Sequence, residues 1–577
     1  MSENPHLRYE PHEPAPHPLA AAMGGQIVLL IVTGIIVTPL VIARAAGLDA
    51  ASTSWLVFAA MLAAGISTCL QVTRFGIIGS GYVMFVGSNV AFVSVSVAAI
   101  KAGGIPLLAT VAAISALATF AFTRWLPILR RILTPSVGGV VLMLMAISVA
   151  PVIWGMLKRV PAPLDGSPLV PMVAGVTLLS IVMVALFAKG MLRLWAPLIG
   201  VAVGSCVAAS VGMLDASRIA AAPWIGLPDL SWPGLDLTFP VAFWGLLPAF
   251  VLITIVGGIE TYADGIAVQR SSHRQSRPID FKSVQGGINA DGLGSFFAGL
   301  LGTVPNTVYS SSVAVTELTG VASRRVGWWG GLFLILLAFS PKVAAVIGAM
   351  PSPVAGAYIL ILIVLLFGHG VRLVTEDGLG FEAGLAVCLG FWIGFGFQEG
   401  KLYNEMLPSW AQLFLSNGTT SGGMTAIVLM ALLSLRHRSQ DGITVPLRLD
   451  SVAKVRTVIQ GFANRLQWDT AAEDRLMLAA EEAMLFLMQS ELADGTRSAP
   501  SELTLRLRKV DEEAELEFVT APAGANIEGA IAALTDAGEA DAVDQISLRL
   551  LRGIAREVKH LQYHGTDYLL LRVDSRG

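Results

Sequence analysis

Through its first 435 residues the chain alternates apolar runs with short polar turns. The runs have the length, about 20 residues, that a helix needs to cross a bilayer core. They fall near 23–43, 53–72, 76–97, 104–123, 136–157, 169–188, 195–213, 240–263, 284–302, 304–318, 327–349, 353–369, 379–398 and 421–435, which predicts fourteen spans. An even number leaves both ends of the segment on one side. Span three is interrupted by Gly79-Ser80-Gly81 and Gly87-Ser88-Asn89, and span ten by Pro305-Asn306-Thr307 through Ser310-Ser311-Ser312. Such backbone is tolerated at membrane depth only where it is buried or lines a cavity.

From about Thr444 the pattern changes. Val445 to Leu449, Leu503 to Val510, Ala514 to Thr520 and Tyr568 to Val573 read as strands, the middle two with clear alternation. Ser451 to Leu466, Ala471 to Gln489 and Asp544 to His560 read as helices. Helices covering one face of a mostly antiparallel sheet would give a soluble α+β domain, and about 130 residues suffice for a core of its own. The predicted organisation is a polar N-terminal tail (1–22), a membrane domain (23–435), a linker (436–443) and a C-terminal domain (444–577).

Composition agrees with two solvents. The 577 residues are 54% hydrophobic and 14% charged, with mean hydropathy +0.69, whereas ordinary soluble domains carry about 25% charged residues. Residues 442–577 hold 15 basic and 22 acidic side chains, leaving 23 and 19 for the rest, so the net charge of −3 is a sum of +4 and −7. With the N-terminus inside, the inner loops hold fifteen Lys and Arg residues, among them Arg74, Arg130, Arg270 and Arg324, against seven outside. That asymmetry places both termini in the cytoplasm. Met1 to Pro18 is polar and lacks the apolar core of a signal peptide. Cys69, Cys206 and Cys388 stand singly in apolar stretches and read as buried packing residues, with no disulfide or zinc spacing.

A weak internal repeat adds symmetry. Pro135-Ser-Val-Gly138-Gly-Val-Val-Leu142 recurs 218 residues later as Pro353-Val-Ala-Gly356-Ala-Tyr-Ile-Leu360, and Gly87 to Val90 corresponds to Tyr309 to Ser312 at nearly the same offset. Two seven-span halves, each broken at its third member, are the pattern of inverted repeats. Facing half-helix N-termini then offer N–H groups and positive dipole ends to a small polar or anionic ligand. The predicted fold class is therefore an all-α polytopic membrane protein with an appended α+β domain.

Carboxylates in the apolar segment mark candidate chemistry. Glu260 and Asp264 end the eighth span four residues apart, on one helix face. A charge in a membrane helix costs about 2.5–3.5 kcal/mol and by default signals function. Two carboxylates this close can share a proton; alternatively they are interfacial residues beside the basic loop that begins at Arg270. Asn289-Ala-Asp291-Gly-Leu-Gly294 reads as a further polar break, with Asp291 either a proton relay or an acceptor for backbone N–H groups at a helix start. Glu382, near Glu376 and Asp377, reads as interfacial.

At these residues the sequence resembles the nucleobase/ascorbate transporter family, the xanthine and uracil permeases, over about residues 20–435. The resemblance is carried by Gly25-Gln26, Gly87-Ser88-Asn89-Val90-Ala91-Phe92, Glu260 with Asp264, Gln269-Arg270, Ala290-Asp291-Gly292-Leu293-Gly294 and Pro305-Asn-Thr-Val-Tyr309 through Leu318-Thr319-Gly-Val-Ala-Ser323-Arg324. It implies a core and a gate domain, proton- or sodium-coupled uptake of a nucleobase, and a homodimer. It further implies that Glu260 hydrogen-bonds the base, that short strands matching Asn89-Val90 and Ser310-Ser311 offer backbone groups, and that Asp264 matches the carboxylate of purine-transporting members. Two positions depart from the family: the Gln-His pair of span one is Gln26-Ile27, and the Glu or Gln followed by Asn in span ten is Ser311-Ser312. A hydroxyl there cannot make the same two-point contact with a planar base.

The tail resembles the anti-sigma-factor type of histidine-kinase-like ATPase domain, with Leu478-Ala-Ala-Glu481-Glu482-Ala483 as its first nucleotide-binding helix. Phe486 stands where the family has the Asn that holds Mg²⁺, and Ile546-Ser-Leu-Arg-Leu550 stands in place of its Gly-rich lid. The expectation is a pseudo-ATPase that dimerises, regulates or binds a cytoplasmic protein. The sequence thus predicts a transporter, not an enzyme, in the inner membrane of a bacterium: a proton-coupled purine symporter without cofactor, metal or nucleic-acid partner. Glu260, Asn89, Val90, Ser310, Ser311 and Ser312 are expected to bind substrate; Glu260, Asp264 and Asp291 to carry the proton. A ligand sensor signalling through its tail, or a carrier of another small anion, remains the alternative.

Overall fold

The computed structural model describes residues 6–129, 135–158, 167–214, 216–228, 232–274, 279–375, 380–400, 402, 406–408, 412, 415, 417–436, 441–494, 501–510, 513–520, 527, 531, 543–562 and 567–574. The chain divides into two compact units, one comprising His6–Ser272 and Ser283–Ala431, the other containing the C-terminal sheet.

The helical unit opens with α1 (His17–Ala46) and α2 (Ala50–Val72). A three-residue strand, β1 (Val86–Ser88), precedes α3 (Val93–Leu129), which kinks at Gly103-Gly104. Then follow α4 (Pro135–Lys158), α5 (Leu169–Phe187), α6 (Met191–Leu194), α7 (Ala196–Ser210), α8 (Ala216–Ala221), α9 (Val241–Ser271) and α10 (Phe281–Leu300). A second strand, β2 (Asn306–Val308), leads to α11 (Ser311–Thr319), α12 (Arg324–Ala338), α13 (Pro341–Gly348), α14 (Ser352–Thr375), α15 (Phe381–Gln398) and α16 (Gly418–Arg436). Among the described residues, α1 to α5, α9, α14 and α15 are long and apolar enough to cross a membrane, and the bent pair of α12 and α13, turned by 81°, is a ninth candidate. The protein is a mostly helical, multi-pass membrane protein.

The two interrupted stretches meet. β1 and β2 pair antiparallel, with Val86 opposite Val308, Gly87 opposite Thr307 and Ser88 opposite Asn306. Asn89 N–H donates to the Pro305 carbonyl at 3.0 Å and Tyr309 N–H to that of Phe85 at 2.8 Å, which lengthens the ladder at both ends. Each unsatisfied backbone group in lipid costs several kcal/mol, and here each break supplies the other's partners. Buried hydroxyls complete the set: Ser312 Oγ accepts from Phe85 N–H at 2.9 Å, and Thr68 Oγ1 accepts from Val86 N–H at 3.1 Å.

Several expectations are corrected. Segment 289–294 is not a break but continuous helix within α10, because its glycines serve close approach. A Cβ at Gly294 would lie 2.2 Å from Ser67 Oγ. Helix α9 does not end with the carboxylates but continues to Ser271, so Glu260 and Asp264 lie inside it. Cys206 and Cys388 are exposed and Cys69 is half-buried, all three free; an apolar face turned to lipid reads in sequence like one turned to a core. The polar segment before α1 is docked, with Arg8 and Tyr9 N–H donating to the Gly320 carbonyl, Ser323 Oγ donating to that of Glu13 at 2.7 Å, and Leu7 and Ala15 buried.

The second unit contains β3 (Asp441–Pro446), α17 (Val452–Arg465), α18 (Thr470–Asp494), β4 (Glu502–Val510), β5 (Glu513–Thr520), α19 (Val543–Ile554), β6 (Glu557–Gln562) and β7 (Asp567–Asp574). Its antiparallel sheet has the order β3-β4-β5-β7-β6. Leu503, Leu505, Leu507, Leu516, Phe518, Leu569 and Leu571 cover one face and pack against Ile459 and Phe462 of α17 and Leu476, Ala480 and Leu487 of α18. The other face carries ion pairs across strands, Arg506 with Glu517 at 3.3 Å, Arg508 with Glu515, and Arg572 with Glu557 at 2.8 Å. The helix expected over 544–560 stops at Ile554, and 557–562 is a strand, since His560 is buried and Val558 packs inward two residues before it.

Helix α2 crosses α12 with almost no space between backbones: a Cβ at Gly65 would lie 2.8 Å from the Gly331 carbonyl oxygen. Gly65→Leu is therefore expected to lower the thermal unfolding midpoint of the detergent-purified protein, since overpacking costs about 1–3 kcal/mol. Gly175→Ala, whose added Cβ meets nothing within 4 Å, should leave the midpoint unchanged. Equal effects from the two would contradict the packing argument.

Candidate functional site

Gly257, Glu260 and Asp264 succeed one another at helical spacing along α9 and so share one face. At one end of that face a Cβ at Gly257 would lie 3.8 Å from Asn89 Nδ2 and 3.9 Å from Thr307 Oγ1. At the other end Ser310 Oγ donates to Asp264 Oδ2 at 3.0 Å. The face therefore runs from the start of the α3 half-helix to the start of α11, with Glu260 between them. Both are N-terminal ends, where first-turn N–H groups and the dipole favour negative charge or acceptor atoms.

The strands occupy 86–88 and 306–308, so Asn89-Val90 and Ser310-Ser311 are not strand residues but open the helices that follow. The reason is local. Asn89 Oδ1 accepts from Ala91 N–H at 2.9 Å and caps a 3-10 turn over Val90–Phe92, and Ser310 precedes the first residue of α11. Ser311 is half-buried at that first position. Ser312 is fully buried, its hydroxyl bonded to the backbone of Phe85 and Tyr309.

Asp291 joins from α10. It is buried, and Thr261 Oγ1 donates to its Oδ2 at 3.3 Å. It lies mid-helix rather than at a helix start, so its partner is a side-chain hydroxyl. Thr261 directly follows Glu260, so this bond sets Asp291 beside the stretch of α9 that carries Glu260 and Asp264. Thus the three carboxylates form one cluster, with Thr261 and Ser310 as its hydroxyl donors. Among the described residues no group of three His, Cys, Asp or Glu is arranged to hold a metal ion.

Sequence reasoning missed the opposite wall. His369 of α14 brings Nδ1 to 3.6 Å from Glu260 Oε1. Tyr358, eleven residues earlier and hence on the same face of α14, places its hydroxyl 3.1 Å from a Cβ built on Gly34, beside the Tyr309 hydroxyl at 3.3 Å. Tyr309 in turn donates to the Ser88 carbonyl at 2.9 Å. The signal for His369 was present: it is an ionisable residue inside an apolar run, a position costly enough to mark function. Thr261 had no such signal, because buried threonines usually bond their own helix.

Comparison with known proteins gives consistent matches. The Permease family model Xan_ur_permease matches residues 20–401. Xanthine permease XanP of Escherichia coli (strain K12) is 31% identical over 437 residues, 73% of this chain and 93% of that protein. Xanthine permease XanQ of the same organism is 29% identical over 454 residues, 75% of this chain and 96% of its own length. Putative purine permease CPE0397 of Clostridium perfringens (strain 13 / Type A) is 29% identical over 434 residues, covering 74% and 92%. The C-terminal sheet lies beyond the residues matched by the family model.

Thr261→Val removes the hydroxyl donor of Asp291 while keeping shape. It is expected to lower thermal stability by about 1–3 kcal/mol, the cost of leaving a buried polar group unsatisfied. Thr261→Ser should retain most of it. Scanning calorimetry or a thiol-reactive dye assay distinguishes the two.

Proposed function

Because the chain belongs to the nucleobase/ascorbate transporter family, we propose that it is a proton-coupled nucleobase symporter of a bacterial inner membrane, with purines preferred. The supporting observation is the convergence of Glu260, Asp264 and Asp291 on the face of α9 that spans the two half-helix starts. A purine has donor N–H groups that a carboxylate accepts, and acceptor carbonyls or ring nitrogens that suit helix N-termini. Glu260 anchors the base, and Asn89, Val90, Ser310, Ser311 and Ser312 belong to the two elements that frame it. Ser311 is short, which leaves room for a bicyclic base rather than a pyrimidine. Protonation of Glu260, Asp264 or Asp291 couples the proton to movement, because the protonated and ionised cluster differ in affinity for substrate.

Fourteen spans in two inverted seven-span repeats, with both termini cytoplasmic and two copies per assembly, is the architecture we infer. The strand pair favours it. Val86, Gly87 and Ser88 correspond to Asn306, Thr307 and Val308 at an offset of 220, and antiparallel pairing of Val86 with Val308 about Gly87-Thr307 gives a local two-fold. For the tail we infer a regulatory pseudo-ATPase. Glu481 is engaged by Arg456 at 2.6 Å, Phe486 packs on the domain's apolar core, and buried Leu548 sits in helix α19 where the family has a Gly-rich lid.

Radiolabelled xanthine, urate and uracil offered to vesicles with and without an imposed proton gradient test the transport reading. Gradient-stimulated accumulation of the purines above uracil is expected; saturable binding without accumulation would refute it. Glu260→Gln should reduce purine uptake more than about 30-fold, as expected when one partner of a desolvated, charge-assisted contact is removed. For the tail, the full-length protein should show no Mg-ATP binding by fluorescence of a nucleotide analogue, and saturable binding would overturn that assignment.

A further inference from the structure

The contact between His369 and Glu260 joins two helices whose principal packing partners differ. Helix α14 packs chiefly along α4, α5 and α7, whereas α9 packs chiefly along α3, with α11 and β2 beside it; α4 and the turn at Val90–Phe92 touch both. From α14, His369 Nδ1 comes within 3.6 Å of Glu260 Oε1, with side-chain exposures of 40% and 16%. Glu260 is thus the more shielded of the two. The other acidic groups around it, Asp264 on the same face and Asp291 from α10, are held by hydroxyls, Ser310 and Thr261 respectively. Glu260 instead has an imidazole, a group able to donate a hydrogen bond and, when protonated, to cancel its charge.

We propose that His369 is a positioning residue of the transport cycle: in the substrate-free protein it holds Glu260 across the site, and the substrate displaces it on binding. This rests on the reading of Glu260 as the anchor for the base. The geometry gives the reason. The Oε1 atom that faces His369 is an acceptor the base needs, and one carboxylate oxygen at 3.6 Å from a ring nitrogen leaves no space for a planar base between them. The exchange of partners also answers an electrostatic requirement. An ionised Glu260 crossing between the two faces without substrate would be a bare charge in a low-dielectric medium, which is costly unless paired. With His369 beside it, the empty site can reorient; with substrate bound, the base takes over that role and His369 is released.

The inference separates two kinds of flux. Net uptake requires return of the empty site, whereas exchange of internal unlabelled for external labelled substrate proceeds through loaded states alone. In proteoliposomes of the full-length protein, His369→Phe should reduce net uptake of labelled xanthine by about fivefold, the upper end of what a partly exposed ion pair contributes. Xanthine exchange should fall much less than net uptake, and an unchanged thermal unfolding midpoint reports intact folding. His369→Lys, which places a cation beside Glu260, should restore part of the net flux that His369→Phe loses. A parallel fall in exchange and net uptake, or no change in either, would overturn the role of His369. Absence of any purine exchange by the unmodified protein would instead overturn the transport reading on which it rests.

Discussion

A peptide backbone that leaves the helix inside a membrane has lost water as a partner, and everything in the helical unit follows from how that loss is repaired. Two breaks, far apart in sequence, hydrogen-bond each other through β1 and β2. Because each strand draws its ladder bonds from the other, their pairing fixes where α3 and α11 begin. Those beginnings set which part of α9 lies between them, and so where Glu260 and Asp264 stand. The site is a by-product of satisfying backbone groups, with side chains added at the positions this geometry offers.

The two units handle carboxylates in opposite ways. On the outer face of the tail sheet, Glu515 and Glu517 are flanked by arginines from neighbouring strands. These carboxylates are buried and their arginines partly exposed, so each charge is neutralised at close range, as a buried charge requires. In the helical unit the partners are hydroxyls and one imidazole, groups that can hold a carboxylate without permanently cancelling it. A permanently neutralised carboxylate could not take up and release a proton. Among the described residues, the poverty of cations bonded to Glu260, Asp264 and Asp291 is therefore as informative as the presence of the acids.

Much of this was legible in the residues. Apolar runs located the helices, Gly87-Ser88-Asn89 and Pro305-Asn306-Thr307 located the breaks, and intramembrane charge singled out Glu260, Asp264 and Asp291. What sequence periodicity cannot report is which neighbour fills a gap. Gly292 and Gly294 read as a break because glycine weakens helices, yet α10 continues through them since Thr119 and Ser67 press against the space they leave. Likewise His560 lies in a stretch that scans as helix, and only its burial against the sheet reveals the two-residue period of β6. Thr261 and His369 act through distant residues, a relation that no local window contains.

The docked N-terminal segment carries a consequence for how the chain is made. Tyr9 is hydrogen-bonded to Gly320 and Ala322, and Leu7 is buried. A ribosome adding 5–20 residues per second therefore takes roughly 15–60 s between making the first partner and making the second. For that interval the segment has no seat, and the first spans enter the bilayer with their leading end untethered. The fastening that closes the start of the chain onto the turn between α11 and α12 is thus a late event in biogenesis, made only after the last broken span has been threaded.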